Sequence, residues 1–369
     1  MGHEQTIAVR RRADSFRRRA YPTRQSPHCL AGIGLLTVEL ILLIRGSVTG
    51  SPDWRPNVVV MAKLTAWYRK KLGARTRSIF AHVPYPLGDT LSYDGDPGLF
   101  GPGSMTWVVT ADPCTFVGGI RALLIQAAHP EVVAGVADHS RYEDDPLGRL
   151  SRTSAYVTAT AYGAMPEVER AIDVVRRAHR PIKGESHRGR AYSADDPGLS
   201  AWVHNALTDS FLVAYQTFGP GRLSADEADR FVDEQRRLGA LLDAEPMPVT
   251  AAALASWLTG HEGAAPSPGL TEAVGFLRSP PLPPLVKLVY RILYQAAVAT
   301  VPVRIRRIMG LHRHPGAVLV GRLTVRFLRW SLGASPSWQL ALIRTGQPVP
   351  EGRFLAQPAI PPPGWAPPH

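Results

Sequence analysis

Cysteine is nearly absent from this sequence of 369 residues, which contains only Cys29 and Cys114. The two lie far apart along the chain, and neither belongs to a motif with metal-ligand spacing, so neither a disulfide framework nor a zinc site is indicated. A reducing compartment, the cytoplasm, fits this composition best.

Long hydrophobic runs are also missing. A membrane-spanning helix needs roughly 20 apolar residues, whereas residues 30–44 form an apolar run of only fifteen that includes Glu39. The run follows an Arg-rich segment, but no A-x-A cleavage site of a signal peptide comes after it. We interpret it as a buried or interfacial helix, with a membrane anchor as the alternative.

The usual catalytic signatures do not occur. The sequence has no G-x-S-x-G elbow, no Walker loop, no G-x-G-x-x-G after a strand and no H-E-x-x-H helix. Common hydrolases, nucleotide-binding enzymes and zinc proteases are therefore not indicated. Polar side chains inside helices become the main evidence for function.

The charge is positive but spread out. Of the net charge of +12, residues 1–28 contribute +5 through seven arginines against Glu4 and Asp14, which leaves 12 − 5 = +7 for the rest. No dense basic stripe with interleaved aromatics is present, so no nucleic-acid partner is expected. A modest positive field suits anionic cofactor groups or peripheral contact with an acidic membrane. The apolar segment Leu285–Val301 could pack in the core or rest on such a surface.

The composition indicates an all-α protein with one large helical domain, because helix formers dominate and strands are poorly indicated. Residues 58–345 form this predicted domain. A basic disordered arm, an apolar helix and a linker precede it (1–57), and a Pro-rich disordered tail follows (346–369). Short connections favour orthogonal, globin-like helix packing over a four-helix bundle.

Proline and polar caps locate several helix starts. Pro146 and Pro197 each follow an aspartate, and Ser224 with Glu227 forms a capping box. A short strand is expected at Met105–Thr110. Helices are predicted at 58–73, 116–128, 131–137, 146–163, 167–180, 197–217, 224–241, 249–261, 283–300, 302–309 and 316–333.

Two arginines and a hydroxyl share one face of the helix that begins at Pro146. Arg149, Arg152 and Thr153 are spaced i, i+3 and i+4. Such a group could bind carboxylates or polarise a bound ligand. Alternatively, it forms a solvated helix face paired with Asp144 or Asp145.

A histidine extends the apolar stripe of the next helix. Val168, Ile172, Val175 and His179 are spaced four, three and four residues apart. A histidine that faces the core must be hydrogen-bonded or must ligate something. His179 is therefore either a satisfied core histidine or a metal or haem ligand.

The helix 197–217 mixes polar side chains into an apolar element. His204 and Thr208, and likewise Asn205 and Asp209, are four residues apart. They could form a network that orients a cofactor ligand, or they could satisfy one another in a large core.

Other histidines give weaker signals. His129, before Pro130, could cap the carbonyls of a helix end or point into a pocket. Several others lie in tails, turns or linkers and are poor ligand candidates: His3, His28, His82, His187, His261, His312, His314 and His369.

Three segments carry a family resemblance: LLIQAAHPEVVAGVADHSRYEDDPLGRLSRTSAYV, AHRPIKG and YSADDPGLSAWVHNALTDSFLVAY. Together they resemble the bacterial branch of the oxygenase family that joins MpaB-type enzymes to rubber oxygenases (latex-clearing proteins), from about Leu99 to Gly310. The resemblance implies an all-α, globin-reminiscent fold around haem b. In this family, rubber oxygenases cleave polyisoprene double bonds with dioxygen, and MpaB enzymes cleave a prenyl side chain.

The resemblance also implies a distal site. The Arg-x-x-Lys-Thr motif of rubber oxygenases matches Arg149, Arg152 and Thr153, with Arg152 in place of the lysine. Because that lysine can approach the iron, this departure puts the distal gating of those enzymes in doubt here. The family's distal carboxylate is not assigned, since Glu131 and Glu143 both lie near the motif.

On the proximal side, the ligand histidine of an Arg-x-x-His-Ala helix matches Arg176 to His179, with Arg180 in place of the alanine. A second family histidine corresponds approximately to His204. By this resemblance His179 binds the iron, while Arg149, Arg176 and His204 contribute to cofactor binding.

The resulting expectation is a haem b-dependent oxygenase that uses dioxygen on an apolar, unsaturated or isoprenoid small molecule. Arg149, Arg152 and Thr153 would face the oxygen or the substrate. Two alternatives remain: a non-catalytic haem-binding sensor or store, and a helical membrane-surface interaction protein whose site has decayed.

Overall fold

The computed structural model describes residues 83–139 and 145–350, together with single positions between residues 63 and 73. Within these residues the chain is mostly helical, and the regular structure besides helices is one antiparallel hairpin. The predicted all-α fold is confirmed. After a 3-10 turn at Thr90–Ser92, the helices are α1 (Met105–Thr110), α2 (Thr115–Ala127), α3 (Pro130–His139), α4 (Pro146–Tyr162), α5 (Met165–His179), α6 (Pro197–Phe218), α7 (Ala225–Ala240), α8 (Ala251–Gly260), α9 (Pro268–Arg278), α10 (Pro284–Thr300), α11 (Val303–Ile308), α12 (Ala317–Leu332) and α13 (Pro336–Arg344), with strands β1 (Lys183–Glu185) and β2 (Ala191–Ser193) between α5 and α6.

Local side-chain caps begin helices α4 and α7. The Asp145 carboxylate accepts the N–H of Gly148 at 2.9 Å at the start of α4. At the start of α7, Ser224 Oγ accepts the N–H of Glu227 at 3.2 Å, and Glu227 Oε2 accepts the N–H of Ser224 at 2.7 Å. Each cap satisfies amides that the helix itself leaves unpaired. The predicted proline and capping-box starts are confirmed.

The strand expected at Met105–Thr110 is wrong, because these residues form α1. Ser104 Oγ accepts the N–H of Trp107 at 3.2 Å. The Glu234 carboxylate of α7 accepts the first two amides of the helix, at 3.0 and 2.8 Å. The Val-Val pair of the segment favours a strand locally. The carboxylate that caps the helix comes from a distant part of the chain, so the local sequence does not reveal it.

Some helices and strands were not predicted from the sequence, and some predicted segments lie outside the residues that the structure describes. Helices α9 and α13 and the β1–β2 hairpin were not predicted. The segments 1–57 and 351–369, with the apolar run 30–44, lie outside the described residues, as does most of the helix predicted at 58–73. Among the described residues, no helix is long and apolar enough to cross a membrane.

Helices α2 and α6 form the centre of the core. A Cβ at Gly118 of α2 would lie 2.6 Å from Phe211 Cδ1 of α6, so the close approach requires glycine there. Further along, Arg121 Nη1 pairs with Asp209 Oδ2 at 2.7 Å, and both side chains are buried. Helix α10 packs against α2, and α12 packs against α10. The second half of α10 is almost entirely buried, which makes it a core helix.

Helices α4 and α5 form a helical hairpin linked by residues 163–164 and packed against each other. Tyr162 of α4 and Val168 and Ile172 of α5 enter a second buried cluster, which also contains Trp107 of α1 and Trp338 of α13. This packing fixes the buried face of α5. It leaves the C-terminal end of the helix, with His179, at the edge of the cluster.

Candidate functional site

His179 lies on the wall of a pocket of about 220 Å³ at the C-terminal end of α5. Whereas Ile172 on the same helical stripe is buried, His179 is half-buried. The segment between β2 and α6 supplies Asp195 to the pocket, and the segment after α7 supplies Leu242 and Asp243. Three separate parts of the chain therefore meet at this histidine.

The surroundings of His179 favour the neutral form of its imidazole. Burial lowers the pKa of His179 below its usual 6.5, and the nearby Asp195 carboxylate opposes this only in part. Within the described part of the chain, the His179 ring makes no hydrogen bond, and the residue lines the pocket. A neutral imidazole with an available nitrogen is the form that ligates metals.

Arginines surround the pocket. Arg176 Nη2 pairs with Asp243 Oδ2 at 3.2 Å, which joins two walls through a solvent-exposed and therefore weak ion pair. Arg180 adds a second guanidinium. Asp243 has a φ of 54°, the left-handed conformation that is uncommon outside glycine. Backbone conformations of this kind are concentrated at functional sites.

The predicted distal residues lie near the start of α4, on the helix that forms a hairpin with α5. Arg149, Arg152 and Thr153 are not among the residues that line the His179 pocket. Arg152 and Thr153 are exposed near the start of α4, and Arg149 is half-buried. Arg152 Nη1 pairs with Asp145 Oδ2 at 3.2 Å. This geometry matches the alternative of a solvated helix face, and the catalytic role of the three residues stays a prediction.

His204 belongs to a buried polar chain in the core. Its Nε2 lies 2.8 Å from the carbonyl oxygen of Gln235. Gln235 Nε2 donates to Thr106 Oγ1 at 2.9 Å, and Thr106 Oγ1 donates to Glu234 Oε2 at 2.8 Å. The chain links α6 to α7 and α1. The side chains of His204, Asn205 and Asp209 thus pair with Gln235, Pro246 and Arg121 rather than with one another, and a cofactor role for His204 stays a prediction.

Acid should destabilise the protein through His204. Burial lowers the pKa of His204 to about 4, whereas an unfolded histidine titrates near 6.5. Between these values the unfolded state binds the proton, so this contribution is fully present above pH 6.5 and is lost as the pH falls towards 4. We expect a loss of about 3 kcal/mol from this residue across that range.

Urea unfolding measured at several pH values tests this expectation. The His204→Gln variant should be less stable at neutral pH but should show a shallower decline on acidification. An equal decline in the variant and the wild type would assign the acid sensitivity to other groups.

A second cluster of titratable side chains surrounds His129, between α2 and α3. Its ring packs against those of Trp202 and His261, with centroid distances of 5.6 and 5.5 Å. His129 Nδ1 lies 3.2 Å from Glu131 Oε2. The Glu131 carboxylate also pairs with Arg188 of the hairpin. This closely packed cluster ties the hairpin and the segment after α8 to the start of α3.

The His129 cluster depends on close backbone approach. A Cβ at Gly263 would lie 2.3 Å from His129 Nε2, so only glycine fits there. Burial lowers the pKa of His129 to about 4 despite the neighbouring Glu131. Sequence reasoning identified His129 but treated His261 as a turn residue and passed over Arg188. No local signal joins these segments, because the contacts between them arise only on folding.

Residues 107–330, more than half of the chain, match a family model described as "ER-bound oxygenase mpaB/B'/Rubber oxygenase, catalytic domain". The chain belongs to this family. It is therefore an oxidoreductase of the oxygenase class. No curated protein and no solved structure matches it. The matched segment of the oxygenase family extends from α1 to α12 and contains both the His179 pocket and the His129 cluster.

The residues around His179 can be tested against the haem that the family resemblance implies. A neutral imidazole with a free nitrogen fits an axial ligand, and the guanidiniums of Arg176 and Arg180 fit carboxylates. The pocket of about 220 Å³ is smaller than the roughly 300–1,000 Å³ of sites that enclose small molecules. The side chains that line the pocket therefore fit the iron and the carboxylates of haem. The cavity volume in this structure accommodates only part of the haem ring.

Proposed function

We propose that this oxygenase depends on haem b and uses dioxygen to oxidise or cleave an apolar, unsaturated substrate of isoprenoid or lipid type. The observation that carries the proposal is the imidazole of His179, whose surroundings favour its neutral form, in a pocket that Arg176 and Arg180 also line. When bound, haem supplies the oxygen chemistry, and the protein supplies ligation, polarity and access.

The residues of the pocket would take distinct roles. His179 would bind the iron through a ring nitrogen, and Arg176 and Arg180 would pair with the cofactor carboxylates. Arg176 already pairs with Asp243 across the pocket. When the cofactor binds, Arg176 would leave this exposed ion pair and pair with a cofactor carboxylate instead. His204, through Gln235, would hold α6 against α7, and segments adjoining both helices line the pocket.

The substrate class rests on the family description, which names a rubber oxygenase. Rubber is an apolar material, and binding such a substrate requires an apolar passage. Arg149, Arg152 and Thr153 are proposed to act as the cation and hydrogen-bond donors on the oxygen or substrate side. Arg152 and Thr153 are exposed near the start of α4, which leaves these two side chains accessible to a ligand.

An ultraviolet–visible spectrum of the purified full-length protein tests the proposal first. We expect a Soret band that shifts on reduction with dithionite, and oxygen consumption when a polyprenyl or polyene lipid is added to the reduced protein. A Soret band without oxygen consumption would favour a haem sensor or store. A featureless visible spectrum, after expression with added haem precursor, would remove the haem proposal.

A further inference from the structure

The outer face of α12 is apolar. Leu319, Leu323 and Phe327 recur every four residues along this face, with exposed fractions of 62, 60 and 43%. Val320 and Trp330 widen the same stripe and are also exposed. A helix on the surface of a globular protein normally presents polar residues to solvent. A contiguous exposed apolar patch instead indicates an interaction surface.

The inner face of the same helix is apolar for a different reason. Gly321 and Val325 are buried where α12 packs against α10, and a Cβ at Gly321 would lie 2.6 Å from Ala296 Cβ. The core therefore accounts for one stripe of α12. On the opposite stripe, the Trp330 ring contacts Phe327 and the Arg69 guanidinium, which lies 5.8 Å from the ring centroid, while Leu319 and Leu323 stay exposed.

Basic residues flank the exposed stripe. Arg322 and Arg326, one turn apart, are exposed on one side of it. Arg322 Nε donates to the carbonyl oxygen of Thr217 at 2.9 Å, a neutral partner that leaves its charge uncompensated. The stretch 273–350 contains eleven basic residues and no aspartate or glutamate. The net charge of residues 273–350 is therefore larger than the net charge of +7 carried by all residues outside 1–28. Acidic residues in other parts of the chain account for the difference.

We propose that the outer face of α12 docks on an anionic lipid bilayer. Leu319, Leu323 and Phe327 would enter the acyl boundary, while Arg322 and Arg326 would reach the phosphate level with their long side chains. Negative lipid headgroups complement the stretch 273–350, which has basic residues and no aspartate or glutamate. A second copy of the chain would bring two such basic surfaces together, so the charge disfavours a dimer through this face. The proposal does not rest on haem or on the proposed oxygenase substrate.

A fluorescent label on the stripe tests the docking directly. Leu323→Cys is made in full-length protein that also carries Cys29→Ser, and it is labelled with a polarity-sensitive fluorophore; Cys114 is buried and should not react. We expect a blue shift with phosphatidylcholine vesicles that contain phosphatidylserine, a much smaller shift with phosphatidylcholine alone, and reversal by high salt. A label that is already blue-shifted without vesicles would show that another protein segment or a second copy covers the stripe, and would overturn the proposal.

Vesicle sedimentation with matched variants separates α12 from the basic N-terminal residues. Leu319→Ser/Phe327→Ser should weaken partitioning into phosphatidylserine vesicles by about tenfold or more, since two apolar side chains no longer insert. Leu91→Ser/Val249→Ser removes side chains of similar exposure elsewhere and should leave binding unchanged. Equal binding of the α12 variant and the wild type, or a change from dimer to monomer in the α12 variant, would refute bilayer docking by this face.

Discussion

His179→Ala should abolish haem retention and, with it, oxygen consumption. The substitution removes the imidazole from the pocket, while Arg176 and Arg180 remain. Because His179 is half-buried and makes no hydrogen bond among the described residues, the fold should lose only about 1 kcal/mol of stability. We expect the ratio of Soret to protein absorbance to fall about tenfold or more, with an unchanged far-ultraviolet circular dichroism spectrum.

Two controls give this result its meaning. His187→Ala removes an exposed histidine next to β1 and should leave haem content unchanged. Imidazole added to His179→Ala should restore part of the Soret band, since the free ligand can occupy the vacated position. Full haem retention by His179→Ala would move the ligand assignment to another residue without removing haem from the protein.

Arg121→Leu should be the most destabilising single substitution in the core. Arg121 pairs with Asp209 at 2.7 Å, and the two side chains are 2 and 5% exposed. Arg121 also donates to Ser210 Oγ at 2.8 Å and to the carbonyl oxygen of Thr300 at 3.2 Å. Without the guanidinium, the Asp209 carboxylate stays buried and unpaired. We expect a loss of about 3–5 kcal/mol in the free energy of unfolding, measured with urea.

An exposed ion pair provides the comparison. Arg152→Leu breaks the ion pair with Asp145, in which both side chains are about half exposed. The free energy of unfolding should fall by only about 0–1 kcal/mol. The double variant Arg121→Leu/Asp209→Leu should recover much of the stability lost in Arg121→Leu, because no buried charge remains unpaired. Similar losses for Arg121→Leu and Arg152→Leu, or no recovery in the double variant, would show that the buried charge is not the cause.

The sequence predicts those features of the fold that depend on residues within one or two helical turns of each other. The Asp145 cap and the Ser224–Glu227 box act on amides two or three residues away, so their helices begin close to the predicted positions. Residues Met105–Thr110 show the opposite case. Their helix is capped by Glu234, which only tertiary packing brings to the helix start.

The candidate site divides in the same way. Spacing alone placed His179 on the apolar stripe of its helix, and family resemblance made it the candidate iron ligand. Spacing could not show that the His204 ring is engaged by Gln235 while the His179 ring makes no hydrogen bond among the described residues. It also could not join His129 to His261, because these residues come from segments that meet only in the folded chain.

The proposed membrane-docking face lies on α12, a helix for which the sequence alone predicted no such role. Both α10 and α12 are apolar helices with a few basic residues, and from sequence α10 could lie in the core or on a membrane surface. In the structure, packing against α2 and α12 buries much of α10, whereas α12 keeps an apolar stripe in solvent. Helical periodicity shows that a face is apolar, but neighbouring elements decide whether that face is covered.

The sequence by itself determined the all-α class, most helix starts, the oxygenase family and the choice of His179. These features depend on caps, periodicity and motif order, which are local properties of the chain. Only the tertiary structure decided which candidate histidines are hydrogen-bonded, which acid pairs with which arginine, and which apolar stripe faces solvent. Burial and pairing depend on contacts between residues far apart in the chain, and such contacts exist only once the helices have packed.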